Sequence, residues 1–251
     1  MAALPFFCRL VVSHWLLLAF VGVVFGNAAP ALTPHTAEYN IKISVLGGKL
    51  ETSLSANQDG YLAESSVRAT GISRIFAGGE IRERSRFAYF ENGLRPSHFV
   101  SNDDLTRDKE TIDFRFDWEA GQIIGVINGE PFETGIDGPV HDRVSLRYGL
   151  MHDLLNDVHR SDYSLQDAEK FKPLSITNIG SKPVQVPFGR FEAIGVQHQA
   201  EGSSRVTTLW CVAELGFLPV IIEQHRKGKL QFQAMLTNYT PLTGKEVTKS
   251  K

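Results

Sequence analysis

Three arginines, Arg82, Arg84 and Arg86, fall at every second position of one run, with Phe87 and Tyr89 on the opposite parity. That spacing places the guanidiniums on one face of a strand, about 6.6 Å apart, twice the strand rise. Cations so close repel one another unless acidic neighbours or a bound anion meets them. Glu64, Glu110 and Asp113 are the candidate cross-strand partners. The functional alternative is a basic lip for a carboxylate or an acidic headgroup.

Other chemistry is sparse. The histidines that follow the N-terminal stretch are His35, His98, His141, His152, His159, His198 and His225, and none sits in a His-x-x-x-His or Glu-x-x-His pair. His152 and His159 share a helical face but lie about 10.5 Å apart along the axis, too far for one ion. No metal and no cofactor is therefore expected. There is no Gly-x-Ser-x-Gly elbow, no Gly-x-Gly-x-x-Gly and no Walker-type lysine loop. Ala77-Gly78-Gly79 reads as a turn, and Asp113 and Asp117 alternate with aromatics as the wet face of a strand. Cys211 follows Trp210 in an apolar run, which suits a buried, inert thiol. His141, Asp142 and the arginine row are the best seeds of an enzymatic site, and the sequence favours a non-enzymatic protein over one built on them.

The elements that must position these residues are mostly strands. Tyr39, Ile41, Ile43 and Val45 alternate with polar residues, and Gly47-Gly48 reads as the turn into a strand carrying Leu50, Thr52 and Leu54. Asp59-Gly60 turns the chain into Tyr61 to Ala69. Ile112, Phe114, Phe116 and Trp118 share one face, and Asn128-Gly129 marks a hairpin. Between residues 142 and 158 the period changes. Val144, Tyr148, Met151, Leu155 and Val158 recur at helical spacing, while Leu146, Leu150 and Leu154 widen the apolar stripe. Asp142 is the expected N-cap. So broad a face needs cover on more than one side, which a helix in the hollow of a curved sheet would have. Residues 161 to 170 read as a polar connection, after which alternation returns from Phe171 to Tyr239. Pro219 cannot donate to a ladder, so its strand belongs at an edge or carries a bulge. The expectation is a mainly β protein: a strongly curved antiparallel sheet or open barrel of about a dozen strands around one principal helix.

Arg9, the apolar run Trp15 to Phe25 and the small residues Gly26, Ala28 and Ala29 have the order of a cleavable signal peptide, assigned to residues 1–28. Residues 29–240 then form a single β-rich domain and 241–251 a polar tail. Apart from the leader no run is apolar enough to cross a membrane, so no transmembrane segment is expected after cleavage. The net charge of −2 over 251 residues gives no reason to expect nucleic acid as a partner. Without the leader, Cys211 is the only cysteine, so an internal disulfide is excluded.

Several segments, in order, carry a family likeness. Ala37-Glu38-Tyr39, Asp142-Arg143-Val144-Ser145-Leu146, Val186-Pro187-Phe188-Gly189-Arg190-Phe191-Glu192-Ala193, Leu209-Trp210 and Leu218-Pro219-Val220-Ile221-Ile222-Glu223 resemble the exported bacterial domain-of-unknown-function family 3108. The resemblance implies a periplasmic or envelope protein with no catalytic residues to transfer. It also implies a curved sheet around a helix, similar to the half-open barrels of LolA/LolB-like periplasmic carriers. The resulting expectation is a periplasmic binding or carrier protein for a lipid, acyl chain or lipidated partner, the ligand lying between helix and concave sheet. Leu150, Leu154 and Trp210 are the expected apolar contacts, with Arg82, Arg84 and Arg86 as the basic lip. The alternatives are a structural or interaction module with an envelope protein as partner and, behind both, an enzyme modifying envelope glycans or lipids.

Overall fold

Alternating apolar and polar side chains carry most of the chain into one continuous sheet. The computed structural model describes residues 31–242, apart from 45, 76–77 and 92; the expected signal peptide at 1–28 and the expected tail beyond residue 242 lie outside the described residues. A first meander comprises β1 (His35–Ile43), β2 (Leu46–Asn57), β3 (Gly60–Ala69), β4 (Glu80–Phe90), β5 (Gly93–Asp103), β6 (Glu110–Asp117), β7 (Gln122–Ile127) and β8 (Glu130–Gly135). The short β9 (Val140–His141) and helix α1 (Ser145–Leu155) follow. A second meander comprises β10 (Asp162–Asp167), β11 (Lys170–Val186), β12 (Gly189–Ala200), β13 (Arg205–Val212), β14 (Leu218–Arg226) and β15 (Lys229–Pro241).

Antiparallel pairing of β1 with β15 joins the two meanders into a single sheet of 15 strands, with β8 at one edge and β9 at the other. The β9–β10 contact is parallel. The two edges do not pair, so the barrel is open. The sheet nevertheless curls back on itself, because β9 and α1 pack against β5 across the hollow. Polar side chains bridge this seam. Ser85 on β4 donates to the Asp142 carboxylate at 2.6 Å, and Arg143 reaches Glu110 on β6 at 2.8 Å and Asp167 on β10 at 2.5 Å.

The helix is shorter than residues 142–158 because polar geometry ends it at both sides. Val144, just before its first residue, offers no side-chain cap. Asp142 supplies one from two residues earlier, accepting from the Val144 and Ser145 amides at 2.8 Å each. At the far end Asp157 adopts a positive φ of 53°, which stops propagation before Val158. Eight of its eleven residues are buried, which agrees with a stripe too broad for a surface helix.

Two local expectations are corrected, and for Pro219 the structure chooses the bulge over the edge. Gly47 and Gly48 lie within β2, not in the turn, because Ile43 already pairs with Leu46. A glycine is required there by close approach: a Cβ on Gly48 would meet the Arg68 carbonyl at 3.0 Å. The polar stretch after residue 161 contains strand β10, where Tyr163, Ser164 and Gln166 are buried despite their polarity. Pro219 lies in β14, between β13 and β15, and not at an edge; the missing donor is absorbed by a bulge opposite Trp210 and Cys211.

Candidate functional site

The hollow of the sheet is filled in one half and open in the other. Between α1 and strands β10 to β14 lies a cleft of about 960 Å³. Its sheet wall is built by strict alternation, so that every second residue of five strands faces inward. On β13 these are Arg205, Thr207 and Leu209; on β14 they are Arg226, Gln224 and Ile222. Cross-strand register aligns them as Arg205 opposite Arg226, Thr207 opposite Gln224 and Leu209 opposite Ile222. Each strand thus grades from a cation at the hairpin end to an aliphatic side chain in the interior. The neighbouring β11 repeats the gradient in Lys170, Lys172 and Leu174. On the helix side, residues 143, 146, 147 and 150 form one face at helical spacing, again basic at the start and leucine at the end.

Charge within the cleft is strongly one-sided. Six basic residues line it (Arg143, Arg147, Lys170, Lys172, Arg205 and Arg226) against two acids, Asp167 and Glu201, although the chain as a whole is slightly negative. Asp167 is already engaged by Arg143 and Lys172. Burial opposes ionisation of Asp167, but the Lys172 hydrogen bond and the Arg143 charge outweigh it and hold the carboxyl below its usual range. Burial similarly works against the charge of Arg143, yet Asp167 and Glu110 more than offset it and raise its pKa. His198, on the β12 wall, is lowered to about 4 by burial and is neutral at pH 7. The cationic field of the cleft therefore comes from arginine and lysine alone.

These walls combine an apolar floor with a few convergent polar groups, the features that small-molecule sites share. The protein-family comparison identifies the chain over residues 36–233 as "Protein of unknown function (DUF3108)". The chain belongs to this family. No protein in the curated set matches the sequence. Among solved structures, it is similar to a "Beta-barrel-like Protein of Domain of Unknown Function DUF1849 from Brucella abortus", at a TM-score of 0.56 and 11% identity. That similarity covers 85% of this chain and 99% of the other. At this identity the likeness concerns the fold: a family of unknown function on a barrel-like sheet.

The structure distributes the six residues singled out in the sequence over three places. Leu150 lines the cleft. Leu154, one turn further along α1, is half-buried and packs against the core without reaching the cleft. Arg82, Arg84 and Arg86 are exposed on the opposite face of β4 from Ser85 and Phe87. Arg84 pairs with Glu64 and Arg82 with Glu80, while Glu110 is taken by Arg143 and Asp113 by His98. Trp210 alternates with Leu209 and so faces away from the cleft, where its N–H donates to Glu223 at 3.4 Å and the Lys182 ammonium sits 3.8 Å from its ring. His141 and Asp142 are buried in the seam and do not line the cleft. Among the described residues no group of three or more His, Cys, Asp or Glu side chains is placed to hold a metal ion.

Sequence reasoning missed Arg147, Arg205, Thr207, Gln224 and Arg226. One signal for the strand residues was present. Arg205-x-Thr207-x-Leu209 and Ile222-x-Gln224-x-Arg226 are mirror images about the intervening turn, so a hairpin aligns like with like.

Proposed function

We propose that this chain is a non-enzymatic binding or carrier protein for an acyl-bearing ligand, held between α1 and the concave face of β10 to β14. The observation that carries this reading is the cleft of about 960 Å³, floored by Leu146, Leu150, Leu165, Leu174, Leu209 and Ile222. All of these but Leu165 are otherwise buried, and covering the apolar surface that they still turn to the cleft with an acyl chain recovers roughly 25 cal/mol per Å². The volume is also within the range typical of small-molecule pockets, roughly 300–1,000 Å³. In the same reading the protein is exported through residues 1–28 and works in the periplasm, where an apolar cargo needs shielding from water between membranes.

Native mass spectrometry of the protein isolated from its own envelope fraction, followed by organic extraction, tests this directly. A stoichiometric apolar adduct is expected, released by extraction and identified as a lipid or acyl compound. A clean apo mass, with no gain in mass or melting temperature when lipids are added back, rejects the proposal. Leu209→Trp, which fills the cleft, is expected to abolish the adduct while the fold persists.

A further inference from the structure

The distribution of unpaired cations says more about the ligand than the apolar floor does. Arg205 and Arg226 stand directly opposite each other on neighbouring strands, the arrangement in which like charges destabilise a sheet. Neither forms an ion pair among the described residues, and the same holds for Lys170 at the tip of the β10–β11 hairpin. Glu201, the remaining acid of the rim, is exposed in the turn between β12 and β13 and lies in no ion pair with them.

Arg147 is the most informative of the four. It projects from α1 into the cleft, is only partly exposed, and makes no ion pair or side-chain hydrogen bond among the described residues. Its field nonetheless reaches the core, acting on the Glu83 carboxyl as well as on Tyr39, Tyr148 and Cys211, with no direct ion pair to any of them. A partly desolvated guanidinium with no carboxylate in contact is unfavourable, and its five donors can serve an anion that enters the cleft. Arg143, one turn earlier, has the same chemistry but is neutralised by Asp167, Glu110 and Glu83. The fold therefore gives one arginine of this face three carboxylates in direct contact, and leaves the next with Glu83 only at longer range.

We propose that the ligand is an acyl lipid with an anionic headgroup, clasped between Arg147 on the helix and the Arg205/Arg226 pair on the sheet, its chain running inward over Leu150, Leu209 and Ile222. This rests on the acyl-binding reading above and adds the charge of the headgroup. Arginine suits that role, because its planar fork makes paired hydrogen bonds to phosphate or carboxylate oxygens. Thr207 and Gln224, joined at 3.5 Å in the layer beneath, offer neutral polar contacts where headgroup meets chain.

The test compares lysophosphatidylglycerol with lysophosphatidylcholine of the same chain length, and glycerol phosphate alone, by calorimetry and native mass spectrometry at pH 7.5. The anionic lipid is expected to bind at least about tenfold more tightly than the zwitterionic one, and the advantage to shrink as salt is raised. Arg147→Met, and separately the double variant Arg205→Gln/Arg226→Gln, are expected to bring the anionic lipid down to the level of the zwitterionic one. Arg82→Gln, on the outer face, is expected to change neither, and thermal melts establish that every variant is folded. Equal binding of the two lipids overturns this inference and leaves acyl binding standing. Binding of neither overturns both. Glycerol phosphate binding as tightly as the lipid would also overturn it, since the headgroup alone would then be the ligand.

Discussion

Along β3 to β7 the inner positions carry Tyr61, Phe87, Phe99, Ile112, Phe114 and Ile123, all buried, whereas along β10 to β14 buried Leu174, Leu209 and Ile222 and half-buried Leu165, Thr207 and Gln224 border an open cleft. The first set fills its space: Phe87 stacks on its cross-strand partner Tyr61 at 5.7 Å and reaches over to Tyr148 of the helix at 5.4 Å. The second set leaves space. One curved sheet and one helix thus produce a solid core on one side and an open cleft on the other. The difference is side-chain volume and charge, because aromatic rings span the hollow and short aliphatic or cationic side chains do not. A buried polar seam of Ser85, Asp142 and Arg143 sits between the two regions and ties the open edge of the sheet to β4 and β6.

Truncation should separate the halves most strongly. Phe99→Ala, in the filled half, is expected to cost about 3–5 kcal/mol in urea unfolding, while Leu209→Ala, buried but bordering the cleft, costs about 2 kcal/mol, the low end for a buried leucine. Equal losses would mean that both regions are packed alike. Acid should act next, through the seam. Burial lowers the pKa of His141 from 6.5 to about 4, so the folded protein resists a proton that the unfolded chain accepts. Its contribution is complete above pH 6.5 and is lost as pH falls toward 4, amounting to about 3 kcal/mol in all. Asp142 and Glu83 are shifted the other way by burial, so their terms are lost as pH rises through the elevated values. The difference between the wild type and His141→Gln isolates the histidine: the variant should show a shallower fall between pH 6.5 and 4 in denaturant titrations, and parallel curves would refute the assignment.

The cap is expected to matter somewhat less. Asp142→Ala leaves Ser85, Ser145 and two helix amides without their acceptor and should lower stability by about 2 kcal/mol. Adding Ser85→Ala to it should cost less than the two separate losses combined, because both act on one network. The smallest effect has the opposite sign. Arg147→Met removes an unpaired, partly buried cation from the open half, so the melting temperature of the ligand-free protein should stay level or rise by a few degrees. A marked drop would show that Arg147 holds the fold together and that the halves are less distinct than drawn here.

Much of the strand ribbon was legible because period two is a local property. The face shared by Ile112, Phe114 and Phe116 and the broad stripe on α1 follow from the order of residue types alone. β10 was not legible, since Tyr163, Ser164 and Gln166 are buried by the parallel contact with β9 and by the seam, neither of which leaves an apolar pattern. The arginine row of β4 shows the converse. Its spacing is conspicuous, yet Glu64 and Glu80 pair with two of its members on the outer face.

By itself, then, the sequence determined most of the strand ribbon, the family and the presence of a helix too apolar for the surface. Only the tertiary structure decided which half of the hollow stays open, that Arg205 faces Arg226, and that Arg147 lacks the carboxylates given to Arg143. The reason is physical. Alternation states which way a side chain points, but whether it meets a ring, a carboxylate or open space depends on strands and helix turns distant in sequence.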